Sequence, residues 1–354
     1  MSKDIFNLHF GRLPKTSVFT PGRINLIGEH IDYNGGLVLP TALELGITIE
    51  LSPRMDRLVR IASDKFDGLA EREIHEPASG HWSDYILGAL QTGGAELGGP
   101  KGADIAVSSN LPFGAGLSSS AAVAVCALRA VRELSQVEIT NAEIARLAQL
   151  IENDYIGVPC GIMDQMAVAI ARPGQALCLN TKTLDYDLID LPATHHMAVI
   201  HSGVFRRLSE GRYKIRKEEC DLVKSAAGRE DICLMPNSEL KTLNAMPEAI
   251  IRRARHCISE HRRTVAAATA LRSDDMESFG QLMNESHISM RDDFEISVPA
   301  VDALVVDAQS FGALGARLTG GGFGGCIVAC VETGKLDAWR ERLLTAHPDA
   351  FWVA

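Results

Sequence analysis

A glycine- and serine-rich loop at residues 110–122 constrains the fold of this chain more than any other segment. The loop, NLPFGAGLSSSAA, follows a strand-like run at 103–107 and leads into an apolar, periodic stretch at 121–134 that predicts a helix. Glycines let backbone N–H groups turn toward one side, and a helix start adds unpaired N–H donors and the positive end of its dipole. Serine hydroxyls cap such a helix or bind a divalent ion. The segment therefore predicts a strand, an anion-binding loop and a helix, without the Gly-Lys-Ser/Thr of a P-loop.

A second segment, residues 21–33, combines charged and apolar side chains in the sequence PGRINLIGEHIDY. It contains a cation at Arg23, an imidazole at His30 and two acids, Glu29 and Asp32. The apolar residues between them indicate a half-buried backbone rather than a solvated loop. Because each buried polar group needs a hydrogen-bond partner, this clustering favours a small polyhydroxylated ligand. An ion-paired crossing from strand to turn at the protein surface is the alternative.

Several motifs together resemble those of galactokinases, one branch of a superfamily that also contains homoserine, mevalonate and phosphomevalonate kinases. Residues 21–40, PGRINLIGEHIDYNGGLVLP, are similar to the galactokinase signature, which the other branches lack. Residues 110–122 resemble the superfamily's phosphate-loop motif, and we refer to them as the phosphate loop. Further family-like segments are PCGIMDQ at 159–165, RRARHCISEHRRT at 252–264, LMNESHISMRDDFEISVP at 282–299 and the third glycine motif, TGGGFGGC, at 319–326. The resemblance covers nearly the whole chain in the family's order.

Composition limits the partners of the chain. Its 354 residues suit about two domains, and a hydrophobic content of 46% can supply a sizeable core. Aromatic residues make up 5%, which argues against a stacking platform for nucleic acid. A net charge of −10 lacks the basic footprint of a protein that binds nucleic acid or an anionic membrane. Substrate phosphates must therefore be bound by local backbone donors, an ion and a few cations.

The cysteines and the N-terminus indicate a cellular location. The eight cysteines form no Cys-x-x-Cys pair, which favours reduced, buried thiols in a cytoplasmic protein. The first residues, MSKDIFNLHF, lack the apolar region of an export signal. No apolar run approaches the ~20 residues that span a bilayer. We therefore expect a cytoplasmic location and no membrane partner.

Hydrophobic periodicity and turn residues predict a mixture of strands and helices. Strands are expected at 36–40, 47–51, 58–61, 103–107, 176–180, 197–201 and 326–331, and helices at 83–97, 121–134, 141–153, 212–226, 248–271, 274–285 and 298–311. A short connection at 171–174 predicts an N-terminal lobe at 1–173, with the signature and the phosphate loop, and a C-terminal lobe at 174–354, with the third glycine motif. The class is therefore α+β. The resemblance implies a two-lobed small-metabolite kinase fold with the active site between the lobes.

Phosphoryl transfer requires an in-line acceptor hydroxyl, neutralisation of phosphate charge and a group that positions or deprotonates the nucleophile. The resemblance implies that Asp164, in GIMDQ, is the catalytic base and that Arg23 is its partner. A cation beside a carboxylate favours the charged form and helps neutralise the charge that develops during transfer. An Asx turn in a loop is the alternative role for Asp164.

The resemblance also assigns the nucleotide and metal sites. Magnesium prefers oxygen ligands and keeps several waters, so one or two protein oxygens suffice. Ser120 and Glu152 occupy the family's ion-binding positions and are expected to hold Mg²⁺ with ATP; the alternative for Glu152 is a solvated acid near a helix end. Trp82 matches an aromatic that lies against adenine, and packing in the core is its alternative. The expected nucleotide-binding residues are Trp82, Pro112, Gly114, Gly116, Leu117, Ser118, Ser119 and Ser120.

The expected sugar-binding residues come from three segments. Glu29, His30 and Asp32 match positions that contact sugar hydroxyls in galactokinases. Gly161 would allow a close backbone approach, and Tyr213 would pack on or bond to the sugar ring. Carboxylate acceptors suit the hydroxyl donors of a neutral sugar, whereas they would repel an acidic substrate such as mevalonate.

The segment HSGVFRRLSEGRY at 201–213 departs from the family pattern. Gly203 stands where galactokinases usually have an asparagine, and Arg212 stands where an acid is common. With Arg206 and Arg207 the segment is basic, which leaves room for a modified or anionic sugar.

The resemblance implies ATP-dependent phosphorylation of the anomeric hydroxyl of D-galactose, giving galactose 1-phosphate and ADP. The partners are then a small-molecule sugar and ATP, with Mg²⁺ as cofactor, and the enzyme is a monomer or weak homodimer. A kinase of a related sugar (arabinose, galacturonate or an N-acetylhexosamine) and a non-catalytic sugar sensor are the alternatives. A sensor should show damage in the phosphate loop or at the catalytic residues, and residues 118–122, Arg23, Glu152 and Asp164 are all in place.

Overall fold

The computed structural model describes residues 5–112, 114–205, 209–236, 238–243 and 245–354. Its helices are α1 (Ile5–Phe10), α2 (Asp84–Leu97), α3 (Ser119–Ser135), α4 (Asn141–Leu150), α5 (Met163–Ile170), α6 (Ser209–Ala227), α7 (Glu248–Arg272), α8 (Met276–Asp292), α9 (Pro299–Ser310) and α10 (Leu336–Ala346). Its strands are β1 (Thr16–Asn25), β2 (Leu37–Val38), β3 (Pro40–Arg54), β4 (Leu58–Ser63), β5 (Leu69–Glu73), β6 (Gly102–Ser109), β7 (Gln175–Asn180), β8 (Tyr186–Asp190), β9 (His195–His201), β10 (Gly315–Leu318), β11 (Cys326–Glu332) and β12 (Phe351–Trp352). Over this described part of the chain, no helix is long and apolar enough to cross a membrane.

The chain groups into two compact units. The first unit comprises Met1–Arg23, Leu43–Leu111 and Ser118–Ile170, and the second comprises Ile24–Ala42, Pro112–Leu117 and Ala171–Ala354. The long C-terminal piece thus begins at Ala171 rather than at residue 174, and parts of the signature and of the phosphate loop group with it. The division into lobes at 1–173 and 174–354 stays a prediction.

The first unit contains a sheet in which β6 pairs with both β3 and β4. β6 is antiparallel to β3, with Val107 opposite Ile49, and parallel to β4, with Ile105 opposite Ile61. β5 pairs antiparallel with β4, and β1 pairs with β3. Ile49, Ile61 and Ile105 are fully buried, because β-branched side chains pack well on the covered face of a pleated sheet.

Helix α3 follows the phosphate loop and is made largely of small residues. Alanine has the highest helix propensity, and its short side chain lets α3 pack closely against α2, α4 and α5. The helix begins at Ser119, slightly before the predicted start at residue 121. Its buried residues are Ala121, Ala122, Ala124, Val125, Cys126, Ala127, Leu128, Ala130 and Val131.

The second unit contains a four-stranded antiparallel sheet in the order β10-β11-β9-β12. β9 and β11 pair along their whole length, with the buried residues Val199 and Val328 opposite each other. Helix α7 packs against α6 and α8, and α8 packs against β10. In a separate set of pairings, β7 bonds to β2, to β8 and to the start of β3, where Thr41 lies opposite Ala176.

The α+β class is confirmed, and every predicted helix and strand overlaps an element of the structure. The helix predicted at 141–153 ends at Leu150, because the chain enters a π-helical turn, Ile151–Tyr155, in which Ile156 N–H bonds to the Ile151 carbonyl. Helix α8 continues to Asp292, past the predicted end at 285. Among the elements that were not predicted are α1, α5, α10, β5, β8 and β10, most of them short and without a full hydrophobic period.

Candidate active site

The first unit brings together Arg23 from β1 and Asp164 from the first turn of α5. Arg23 Nε donates to Asp164 Oδ1 and Nη2 donates to Oδ2, both at 2.8 Å. This two-point contact between a planar guanidinium and a carboxylate is strong and orients both groups. The helix dipole favours a negative charge in the first turn of α5. The expected pairing of Arg23 with Asp164 is therefore present, and its catalytic role stays a prediction.

Ser118 joins the same carboxylate from the phosphate loop. Its hydroxyl donates to Asp164 Oδ2 at 2.6 Å. Ser118 is the N-cap residue of α3, but it has left-handed angles, φ 58° and ψ 43°, and its side chain makes no capping bond. The expected capping role is therefore not filled by this serine, since its hydroxyl is used on Asp164. A left-handed non-glycine residue costs about 1–2 kcal/mol, which other contacts must offset.

The remaining predicted residues of the phosphate loop surround two glycines with left-handed backbones. Gly114 and Gly116 have φ values of 68° and 73°, which glycine adopts at little cost. Leu117 is buried, whereas Ser119 is exposed. The turns made by the glycines precede the start of α3, where the first N–H groups of a helix have no intrahelical partner. Such a loop suits an anion, as the sequence predicts.

Trp82 is half-buried rather than part of the core interior. Its indole stacks on the ring of Phe66, with centroids 4.7 Å apart and an angle of 7° between the planes. Phe66 was not singled out from the sequence, because it lies in an otherwise unpatterned loop between β4 and β5. The assignment of Trp82 to adenine stays a prediction.

Glu152 lies on the π-helical turn and is 9% exposed. Its Oε1 lies 3.3 Å from Ser120 Oγ, and its Oε2 accepts a hydrogen bond from Gln165 Nε2 at 2.7 Å. Burial, together with the negative charge of Asp164, raises the pKa of Glu152 to about 7. The alternative of a solvated acid is wrong, because the side chain is buried. π-helical turns often occur at functional sites.

Ser120 and Glu152 fit a magnesium ion that keeps most of its water. No group of three or more His, Cys, Asp or Glu side chains in the described residues could hold a metal. At Mg–O distances of 2.0–2.1 Å, adjacent octahedral ligands lie about 2.9 Å apart, so the separation of 3.3 Å between Ser120 Oγ and Glu152 Oε1 needs little adjustment. A cation there would also offset the repulsion between Glu152 and Asp164 that contributes to the raised pKa of Glu152.

The second unit brings together His30 and Tyr213, two of the predicted sugar-binding residues. Their rings lie 5.1 Å apart, and His30 Nδ1 lies 2.7 Å from the Tyr33 hydroxyl. His30 has a left-handed backbone with φ 59°, and the half-buried Asp32 begins a single 3₁₀ turn. This strained, hydrogen-bonded turn is typical of a functional segment.

Glu29, in contrast, has a carboxylate whose oxygens already accept hydrogen bonds from other groups of the protein. It is 1% exposed, and its oxygens accept from Asn25 Nδ2, Arg317 Nη2 and Gly320 N, each at 2.6 Å. Thr319 Oγ1 lies 3.4 Å from Oε1. The three short hydrogen bonds use most of the acceptor capacity of the carboxylate, while the Thr319 hydroxyl donates to the Asn25 carbonyl at 2.9 Å. Burial raises the pKa of Glu29, and the Arg317 charge offsets this only in part. Direct contact of Glu29 with a sugar stays a prediction.

The structure also shows the surroundings of Gly161, Gly203 and Arg212. Gly161 is buried in the first unit, just before α5. Gly203 has φ 80°, and a Cβ there would lie 2.6 Å from the Asp349 carbonyl, so the usual asparagine would not fit. The Arg212 guanidinium lies over the Phe323 ring at 5.3 Å. The predicted contributions of Arg206 and Arg207 lie outside the described residues.

Three family profiles match the chain in order. The galactokinase galactose-binding signature matches residues 4–53, and the GHMP kinase N-terminal and C-terminal domains match residues 84–172 and 267–348. Together with the phosphate loop and the α+β fold, these matches define the protein as a GHMP kinase. A galactokinase from Roseiflexus sp. (strain RS-1) is 40% identical, over 98% of this chain and 91% of its own length. The chain belongs to the galactokinase family.

Solved structures agree with this placement. The crystal structure of Lactococcus lactis galactokinase complexed with galactose has a TM-score of 0.93, with 32% identity over 98% of this chain and 95% of that one. Methanococcus jannaschii mevalonate kinase has a TM-score of 0.73 at 20% identity, covering 97% and 98% of the two chains. The second likeness shows the fold alone. The expected small-metabolite kinase fold is confirmed, and the protein is a sugar kinase.

Proposed function

We propose that the protein transfers the γ-phosphoryl group of MgATP to the anomeric hydroxyl of D-galactose, forming galactose 1-phosphate and ADP. One observation carries the mechanism: a carboxylate, Asp164, is oriented both by the Arg23 guanidinium and by the Ser118 hydroxyl. An oriented carboxylate next to a loop suited to phosphate is the minimum that phosphoryl transfer to an alcohol requires. The galactose-binding signature supports galactose as the acceptor.

Asp164 accepts the proton of the anomeric hydroxyl, or holds that hydroxyl in line with the γ-phosphorus. Arg23 keeps the carboxylate in one orientation and supplies positive charge where negative charge develops. The backbone N–H groups of the phosphate loop bind the phosphate oxygens, assisted by the dipole of α3. Orientation and charge stabilisation together provide most of the acceleration that such reactions need.

Ser120 and Glu152 would hold the magnesium ion that accompanies ATP. When bound, the ion neutralises negative charge on the phosphates. Gln165 supports this arrangement by donating a hydrogen bond to the Glu152 oxygen that does not face Ser120. We assign Trp82 to the adenine, with Phe66 covering one face of the indole.

Galactose is held by the signature and by Tyr213. Asp32 provides an acceptor for a sugar hydroxyl. His30 provides Nε2, which lies 3.3 Å from the Gly321 carbonyl oxygen, because Nδ1 is already bonded to the Tyr33 hydroxyl. Tyr213 packs beside His30. Gly161 has no side chain, so the sugar can lie close to the backbone at this position. Glu29 contributes either an oxygen to the sugar or the rigidity of the turn in which it is buried.

A coupled assay of ADP release across a panel of sugars tests the function. We expect galactose to be the best acceptor, ahead of arabinose, galacturonate and N-acetylhexosamines, with release dependent on Mg²⁺. The variant Asp164→Asn, purified in parallel, controls for contaminating kinases. Robust turnover of another sugar without turnover of galactose would show a kinase of that sugar. Sugar binding without any turnover would indicate a sensor.

We place the reaction in the cytoplasm. None of the eight cysteines, all of which lie in the described residues, forms a disulfide, and all but Cys160 are buried. Eight thiols without a disulfide suit a reducing compartment, where ATP is also available. A monomer or weak homodimer remains our expectation for the assembly, and light scattering at several concentrations would test it.

A further inference from the structure

The family-like segment at 252–264 has no role in the proposed reaction, yet one face of helix α7 within it contacts the signature. The residues on this face recur at helical spacing, and each contacts the segment at 28–37. They are His256, Cys257, Glu260, His261 and Thr264. We propose that α7 sets the backbone conformation of residues 28–37, with Glu260 and His261 as positioning residues for sugar binding. The part concerning sugar rests on the proposed function.

Residues 28–37 need such support because most of this backbone is irregular. Gly28 has φ 105° and His30 has φ 59°, and Asp32–Asn34 form a single 3₁₀ turn. Unusual angles persist only where surrounding contacts over-determine them. The N–H groups of Asn34 and Gly36 bond to the Ile31 carbonyl within the segment, and the buried N–H and C=O groups that are left over need partners elsewhere in the chain.

Glu260 provides a partner for two successive N–H groups. Its Oε1 accepts from Gly28 N at 2.9 Å and from Glu29 N at 3.4 Å. The Ser286 hydroxyl donates to the same oxygen at 2.6 Å, which fixes its position. Because Glu260 is fully buried, no water competes for these N–H groups. The carboxylate therefore determines where the backbone of residues 28 and 29 lies.

The charge of Glu260 is secured by neighbouring arginines. Burial by itself would raise the pKa of Glu260, but the charges of Arg263 and Arg317 lower that pKa to about 2. Arg317 Nη2 also lies 2.6 Å from Glu29 Oε2, as well as 3.7 Å from Glu260 Oε1. One buried guanidinium thus links the α7 carboxylate to a side chain of the signature. Hydrogen bonds to a charged carboxylate are stronger than those to a neutral acceptor.

Two histidines of α7 contact the backbone of residues 28–37, one at Glu29 and the other at Leu37. His256 Nε2 lies 3.1 Å from the Glu29 carbonyl oxygen, and its Nδ1 lies 2.9 Å from Ser289 Oγ. Since a carbonyl can only accept, Nε2 carries the proton and the serine donates to Nδ1. His261 Nδ1 accepts the Leu37 N–H at 3.1 Å. Burial lowers the pKa of His261, which favours the neutral ring that this bond requires.

The middle of the segment and its first residue are also in contact with α7. Asn34 Nδ2 donates to the His30 carbonyl at 2.9 Å and lies 3.4 Å from Cys257 Sγ. A Cβ on Gly28 would lie 3.3 Å from Thr264 Oγ1, at a φ that side chains rarely adopt. The helix therefore contacts the start, the middle and the end of residues 28–37.

The principal test is Glu260→Gln in the full chain, with KM for galactose, KM for MgATP and kcat measured separately. The amide keeps the size of the side chain but loses its charge, so both N–H groups are bound more weakly. We expect KM for galactose to rise about tenfold or more, while kcat and KM for MgATP change by less than about threefold. Val265→Ala, at an exposed position of α7, is the control and should leave all three constants unchanged. An equal loss for both substrates would overturn the positioning role.

A pair of variants at the half-buried His261 keeps the inference testable if Glu260→Gln does not fold. His261→Asn places an amide oxygen where Nδ1 accepts the Leu37 N–H, whereas His261→Leu removes the acceptor. We expect His261→Leu to raise KM for galactose about fivefold and His261→Asn to remain within about twofold of the parent. Equal effects of the two substitutions would show that only packing matters and would overturn the role of His261.

Amide hydrogen exchange of residues 28–37 provides a readout that does not depend on the substrate. Exchange should become faster in Glu260→Gln and His261→Leu, but not in His261→Asn or Val265→Ala. Unchanged exchange in the first two variants would overturn the role of α7. If those variants exchange faster but the parent does not turn over galactose, the proposed function fails while the backbone role of α7 stands.

Discussion

Arg23 and Asp164 are separated by 141 positions in the chain, yet two hydrogen bonds of 2.8 Å join them. Arg23 is 4% exposed, whereas the Asp164 side chain is 33% exposed. The carboxylate is therefore the member of the pair that a substrate can reach, and the arginine is the buried support. A third bond, from Ser118, leaves the carboxylate little freedom to rotate.

Substituting Asp164 should stop the reaction without preventing sugar binding. In Asp164→Asn the amide is nearly isosteric but cannot accept the proton, so kcat should fall by ~10²–10⁴-fold. Galactose affinity, measured by calorimetry, should stay within about tenfold of the parent. Asp154→Asn, at an exposed position of the π-helical turn, is the matched control and should be fully active. Near-normal kcat in Asp164→Asn would remove Asp164 from the catalytic role.

Asp32→Ala should impair sugar binding selectively. Without Asp32, a sugar hydroxyl has no charged acceptor for its hydrogen bond, which costs ~1–3 kcal/mol or more of binding free energy. KM for galactose should therefore rise by about tenfold or more. KM for ATP should barely change. Asp185→Ala, which removes an exposed carboxylate, serves as the control. A variant that binds ATP weakly and galactose normally would place Asp32 outside the sugar site.

Ser120→Ala should have the opposite effect. The hydroxyl lies 3.3 Å from Glu152 Oε1, and its loss removes one of the two oxygens assigned to magnesium. We expect the affinity for MgATP, titrated calorimetrically, to fall by about tenfold while galactose affinity is retained. If Mg²⁺ dependence and MgATP affinity matched the parent, the ion would be bound elsewhere.

Gly203→Ala should destabilise the fold. The new Cβ would lie 2.6 Å from the Asp349 carbonyl, at φ 80°, so both the contact and the backbone angle are unfavourable. We expect the free energy of unfolding to fall by about 2 kcal/mol or more in urea titrations. Gly211→Ala is the control, because nothing lies within 4 Å of its Cβ position in α6. Equal stability of the two variants would mean that the segment relaxes around Asp349.

The buried ring of His256 should make stability depend on pH. Burial lowers the pKa of His256 to about 4, below the ordinary value of 6.5, because both nitrogens are enclosed. The unfolded chain therefore binds more protons between these values. The free energy of unfolding should fall as pH drops from 6.5 toward 4, by up to about 1.4 kcal/mol per pH unit for this residue.

The variant His256→Gln isolates this contribution. It keeps a donor for the Glu29 carbonyl but has no titrating group, so its loss of stability between pH 6.5 and pH 4 should be smaller than that of the parent. His75→Gln, at an exposed position, should retain the parental pH dependence. Identical pH profiles for His256→Gln and the parent would show that His256 charges freely in the folded state.

Local patterns explain which parts of the fold and site could be predicted. The phosphate loop is visible because its glycines, serines and following alanines are contiguous, and β6 and α3 lie where that pattern places them. The end of α4 could not be predicted, since a π-helical turn keeps the apolar periodicity of a helix while shifting its hydrogen bonds. Phe66 carries no pattern of its own, so its stacking on Trp82 emerges only from the fold.

The contacts of the buried charged residues could not be predicted from the sequence either. The sequence places Glu29 in a segment of charged and apolar residues, and its carboxylate predicts a hydrogen bond from a sugar hydroxyl. Its main partner, Arg317, lies 288 positions away, and no local spacing marks that distance. The motif around Glu260 is noticeable as a family-like segment, but its contact with Gly28 N–H depends on packing between distant parts of the chain.

The hydrogen bond between Gly28 and Glu260 spans 232 positions, which bears on how the enzyme matures during translation. At synthesis rates of 5–20 residues per second, the ribosome needs roughly 10–50 seconds to make the chain between these residues. Until α7 emerges, the N–H groups of the signature lack their acceptor and the turn around His30 lacks its support. A nascent chain that already contains the whole signature should therefore not yet bind galactose. Because α7 is synthesised after most of the chain, we expect the sugar site to form late in synthesis.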